Sequence, residues 1–219
     1  MIKKGDNLKK VLIIFFSFIS LLTLIPASKT YNISQSQLNS IEKKYGSQAK
    51  SRVEIWDSMI QSSKNVKILN QLKNVNDFFN KITYKSDLRH WKKKDYWATP
   101  FEFMGTGAGD CEDYAIAKYF SLRKLGVSDE KLRITYVSYR RSNSKYEQAH
   151  MVLTYFHKPG STPIVLDNIN KKLQLATKRT DLKPVYSFNA NGLWQSKNKG
   201  SVKVGNNNLR SWKDLMSRF

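Results

Sequence analysis

Among the 219 residues of this chain there is a single cysteine, Cys111, and its surroundings suit it for chemistry. It follows the run Gly105-Thr106-Gly107-Ala108-Gly109-Asp110 and precedes Glu112-Asp113-Tyr114. The apolar spacing beyond it predicts a helix over 111–125. Asp110 is its N-cap, Asp113 holds the capping-box position, and Gly126 is its stop. A thiol in the first helical turn sits beside unpaired N–H groups and a partial positive charge. Both favour the thiolate, which is the nucleophilic form. The same N–H groups can hold an oxyanion. Three neighbouring carboxylates, Asp110, Glu112 and Asp113, oppose this, because negative charge beside a thiol disfavours its ionisation. A thiolate here needs a cationic partner, either an imidazolium or a metal ion.

A nucleophile also needs a base. His150 falls in the middle of a predicted strand over 148–156, on the same face as Val152 and Thr154. Asp167 lies in the next predicted strand, 163–169, between Leu166 and Asn168. A charge set in an apolar strand must be paired. Adjacent antiparallel strands would bring Asp167 beside His150, where it would orient the imidazole as the third member of a triad. Each residue alone has a plain structural reading, a histidine in a core or an acid in an ion pair. Together they are the parts of a cysteine hydrolase. His90, in a charged loop, and His157, in a turn, fit the role less well.

The elements that must position these residues follow a simple order. Residues 37–45 read as a short helix, 52–72 as helical with a break near Ser62-Ser63, and 75–82 as a further short helix. Residues 83–109 read as an aromatic-rich loop with a flexible glycine approach to Asp110. Three strands follow the nucleophile helix, at 132–139, 148–156 and 163–169. Weaker edge strands are expected at 185–188 and 193–194, and a terminal amphipathic helix at 209–219. Helices first and strands after make an α+β fold, with the Cys111 helix packed on an antiparallel sheet.

The first 28 residues belong to a different category. Lys3, Lys4, Lys9 and Lys10 precede an apolar run over 11–25, and Pro26-Ala27-Ser28 offers a cleavage site. This reads as a signal peptide or an uncleaved anchor, and either one exports the rest. Residues 29–50 form a polar lead-in, and 51–219 one domain. The net charge is +21, and +18 once residues 1–28 with their four Lys and one Asp are set aside. Such a surface attracts acidic partners, and export argues against nucleic acid among them. A lone cysteine in an exported protein has no disulfide partner in its own chain. That leaves a reactive thiol or an accident.

Several stretches resemble the bacterial transglutaminase-like cysteine proteinases. They are 105–114 (GTGAGDCEDY), 115–120 (AIAKYF), 132–137 (LRITYV), 148–153 (QAHMVL) and 165–168 (VLDN). The likeness extends through 89–91 (RHW), 95–100 (DYWATP) and 184–188 (PVYSF), so it covers most of residues 75–219. It implies a papain/transglutaminase-like fold and a Cys111–His150–Asp167 triad. It also implies calcium at Asp110, Glu112 and Asp113, in keeping with the affinity of clustered carboxylates for a hard cation. The resemblance is to periplasmic members that cut large biofilm adhesins after a di-alanine site. Those members are held inactive by an inner-membrane cyclic di-GMP receptor. Trp97 and its loop neighbours are the surface nominated for substrate or receptor docking. Three activities are compatible with these residues: an endopeptidase, a transglutaminase or amidase using the same triad, and a non-enzymatic basic binder of the envelope.

Overall fold

The computed structural model describes residues 33–197 and 200–219. The signal-peptide segment expected at 1–28 therefore lies outside the described residues. Helices α1 (Gln35–Tyr45) and α2 (Ser47–Ser63) are separated only by Gly46, whose φ of 88° lets the chain turn between them. Ser34 caps α1 and exchanges hydrogen bonds with Gln37 in a capping box. Helix α2 buries Ala49, Val53, Trp56 and Ile60, a stripe at helical spacing. It runs across residue 50, and Ile41 of α1 is already in the core. The packed unit thus begins before the expected boundary at 51.

Helix α3 (Ile68–Phe79) joins two pieces that the sequence divides, 68–72 and 75–82, because Leu72, Val75 and Phe79 continue one buried stripe. The region expected to be loop contains regular structure: β1 (Thr83–Tyr84), α4 (Asp87–His90), α5 (Pro100–Thr106) and β2 (Ala108–Gly109), with β1 parallel to β2. Thr99 and Glu102 form a capping box on α5, Pro100 opens it, and Gly107 closes it in the left-handed region. The glycines here serve close packing rather than flexibility. A Cβ at Gly109 would collide with Asp113 Oδ2 and the Phe103 ring.

Helix α6 (Cys111–Lys124) is buried on most of its circumference, from Asp113 to Leu122 except Phe120. It packs on a seven-stranded antiparallel sheet of order β6-β5-β4-β3-β7-β8-β9. These strands are β3 (Leu132–Arg140), β4 (Glu147–Tyr155), β5 (Ile164–Leu166), β6 (Gln174–Leu175), β7 (Leu182–Asn189), β8 (Gly192–Lys197) and β9 (Gly200–Gly205). Strand β7, expected at an edge, is interior because β8 and β9 extend the sheet beyond it. Helix α7 (Arg210–Met216) returns to the core through Trp212 and Leu215. The core between helices and sheet joins Trp56, Phe79, Phe103, Tyr119, Ile134, Leu153 and Phe188. Among the described residues, no helix is long and apolar enough to cross a membrane.

Candidate active site

Helix α6 begins at Cys111, as its apolar spacing predicts, and rests on β4. That contact brings the half-buried thiol to the strand carrying His150. The Met151 N–H points at the sulfur, and Cys111 and His150 line one cleft. The β4–β5 pairing sets Leu153 opposite Leu166, so Asp167, one residue past the end of β5, comes level with Val152 and bonds to His150, two residues away on the same face of β4. His150 Nε2 and Asp167 Oδ1 are 2.8 Å apart, both buried. Nε2 is thus the ring nitrogen engaged by Asp167. The cleft encloses about 470 Å3, and Tyr84, Trp97, Tyr136 and Tyr186 form its aromatic walls.

Asp167 is held from several directions. Oδ1 also accepts from the Ile169 N–H at 2.9 Å, and Oδ2 accepts from Arg179 Nη2 at 2.7 Å. Burial opposes its negative charge, but the bonds from His150, Ile169 and Arg179 outweigh burial and hold it far below the usual carboxylate range. Arg179 is 2% exposed and forks onto Asp181, through Nε at 2.8 Å and Nη2 at 2.7 Å. Sequence reasoning overlooks Arg179. The only signal for it is the rule that a buried Asp needs a cation, and that rule does not say which one.

A second support reaches Asp167 from behind. Lys118, two turns along α6 from Cys111, is fully buried and donates to Asn76 Oδ1 at 2.9 Å and Asn80 Oδ1 at 2.8 Å. Asn80 Nδ2 in turn donates to the Asp167 carbonyl at 2.8 Å. Burial lowers the Lys118 pKa to about 7.

Three carboxylates gather at the start of α6, and two of them, Asp110 and Glu112, are among the three expected. Asp87, Asp110 and Glu112 each place a ligand-capable oxygen within 4.8 Å of the others. Asp113, expected among the ligands, is engaged elsewhere. Its Oδ1 accepts from the Ala98 N–H at 2.8 Å and its Oδ2 from the Asp110 N–H at 3.2 Å, the return half of a capping box. Asp87, 23 residues before Asp110, takes its place and donates its own N–H to Asp110 Oδ2 at 3.1 Å. Asp87 Oδ1 and Asp110 Oδ1 are both buried without a hydrogen-bond partner. Two orphaned carboxylate oxygens facing a third acid fit a cation. Burial and mutual repulsion raise Asp87 to about 6 and Asp110 to about 8. The Cys111 thiol donates to Glu112 Oε2 at 3.0 Å. Burial, then Glu112 and Asp110, push its pKa well up.

Other expectations change with the packing. Trp97 is 6% exposed, stacks on Phe188 with ring centroids 5.4 Å apart, and donates to Asp95 Oδ1 at 2.9 Å. Its indole is a core group that also lines the cleft shared by Cys111 and His150. His90 Nε2 is bonded to Thr106 Oγ1 at 2.9 Å, and His157 is exposed in a turn.

The family model described as "Bacterial transglutaminase-like cysteine proteinase BTLCP" matches residues 42–198. The chain belongs to this family. It is similar to Legionella pneumophila LapG in three solved structures, each 41% identical and covering 85% of this chain. The EGTA-treated form gives a TM-score of 0.73 with 97% of its own chain covered, and the calcium-bound form 0.72 with 99%. A third gives 0.72 with 96%. No curated protein matches. The fold is thus the transglutaminase-like protease fold that the sequence resemblance implies, and membership supports a cysteine protease.

Proposed function

We propose that this chain is an exported, calcium-dependent cysteine endopeptidase that cuts the N-terminal region of a large acidic surface adhesin at a di-alanine site. Cutting releases the adhesin and ends attachment, and an inner-membrane cyclic di-GMP receptor restrains the enzyme. The observation that carries the chemistry is the cleft shared by Cys111 and His150, with Asp167 bound to the imidazole at 2.8 Å. His150 Nδ1 takes the proton from Cys111 Sγ as the sulfur attacks the scissile carbonyl carbon. The tetrahedral intermediate collapses to a thioester, and the same proton leaves with the departing amine. Water then attacks the thioester, giving its proton to His150. The acid product departs as Sγ recovers its electron pair. Asp167, pinned by Arg179, stays ionised and stabilises the imidazolium.

Asp87, Asp110 and Glu112 are the residues that would hold calcium. A bound calcium ion would supply the positive charge that offsets the carboxylates around the thiolate. Glu112 acting as a ligand would also give up its hydrogen bond to the thiol. The high positive charge suits an acidic substrate and steers its approach.

The test is incubation of the purified protein with an adhesin N-terminal module, with calcium or EGTA, and sequencing of the new N-terminus. A cut at a di-alanine site, lost with EGTA and in a folded Cys111→Ala protein, is expected. Undiminished cleavage by Cys111→Ala overturns the assignment. Mass spectrometry separates a cut backbone from a glutamine crosslink, the product of a transglutaminase.

A further inference from the structure

The sheet face turned away from the core carries a groove that the triad does not use. Along β3, Ile134 enters the main core, while Arg133, Thr135 and Val137 line the groove. Val137 joins Val152 and Val165, from β4 and β5, in a separate apolar floor, each residue 2% exposed. The space above them is about 700 Å3, the size of a ligand pocket.

Two guanidinium groups stand in its walls. Arg133 lies over the rings of Trp194, at 4.0 Å, and Phe156, at 4.7 Å. Its Nη1 donates to Ser201 Oγ at 2.9 Å, while its Nε is buried without a partner. Arg179 spends Nε and Nη2 on Asp181 and Asp167, and its Nη1 is buried without a partner. Among the described residues, no Asp or Glu lines the groove. Unpaired guanidinium donors are costly to leave unmet, and a carboxylate is the acceptor whose geometry matches them. An apolar floor beneath them asks for aliphatic groups on the same ligand. From Arg133 to Val137 the strand runs about 13 Å, the length of four extended residues. The chain's net charge of +21 attracts acidic chains at longer range.

We propose that this groove is an exosite for an acidic segment of a protein partner. The segment binds extended, with a carboxylate at Arg133 or Arg179 and aliphatic side chains on the valine floor. Because Arg179 also holds Asp167, the exosite and the catalytic histidine share one guanidinium.

Fluorescence anisotropy with a labelled, end-blocked Val-Glu-Val-Glu-Val peptide tests the site, and its Val-Gln-Val-Gln-Val counterpart is the control. Saturable binding of the glutamate peptide is expected, at least tenfold tighter than the glutamine peptide. Arg133→Gln should weaken it at least tenfold. So should Ser201→Glu, which places a competing carboxylate beside Arg133 at an exposed position. Phosphatidylglycerol vesicles should not displace the peptide. Equal binding of the two peptides, unchanged binding in both variants, no saturation, or displacement by those vesicles overturns the proposal. No cleavage is measured, so failure here is distinct from failure of the protease reading.

Discussion

Lys118 offers the sharpest physical test of the interior. It is fully buried two turns along α6 from Cys111, and burial depresses its pKa from 10.5 to about 7. A lysine with a depressed folded-state pKa penalises folding while it is charged. The penalty is complete below pH 7 and is released as pH rises toward 10.5, because the unfolded chain binds the extra proton in that window. The slope there is about 1.4 kcal/mol per pH unit, so roughly 2–3 kcal/mol should be gained between pH 7.5 and 9.5. Lys118→Met removes the titration and leaves Asn76 and Asn80 each without a donor, a cost of about 1–3 kcal/mol per group at every pH. Urea melts of both proteins at pH 7.5, 8.5 and 9.5, at constant calcium, measure the difference. The wild-type curve should climb relative to Lys118→Met by that amount. Parallel curves would show that Lys118 titrates near its ordinary value and would refute the reasoning.

Calcium should stabilise the protein, and Asp87→Asn should abolish that shift in melting temperature. Asp113→Asn should keep the calcium shift but lower stability with and without metal, since its oxygens serve backbone N–H groups. Arg179→Met should cost about 3 kcal/mol by leaving Asp167 buried without its cation. It should also lower kcat more than it raises KM, and equal loss in an unrelated buried ion pair's variant would argue against a role in orienting His150. Gly109→Ala should reduce both stability and thiol alkylation by iodoacetamide, because its methyl strikes Asp113 and Phe103 beneath the start of the nucleophile helix. A Gly126→Ala protein, strained only in φ, serves as comparison.

The sequence by itself determined what is local. The apolar spacing and the Asp110–Gly126 punctuation define the Cys111 helix, and alternation defines β3 and β4, because both depend on neighbours a few residues apart. The helices within 83–109 were illegible because aromatics scattered among lysines show no period. Their order comes from packing, as in Phe101 against Trp56 and Phe103 against Tyr114. The contact of His150 with Asp167 was legible in outline, because adjacent antiparallel strands bring residues on one face within reach of each other; the register itself sets Asp167 level with Val152, and the side chain spans the rest.

Tertiary structure alone decided which charges meet. Asp113 looked like a ligand beside Cys111, but in a helix its side chain returns to the N-cap and to Ala98. Asp87 and Arg179, with no local mark, were brought to the site by β1–β2 pairing and by the chain's return beyond β6. Burying a carboxylate demands a partner, but only the folded chain determines which distant residue supplies it.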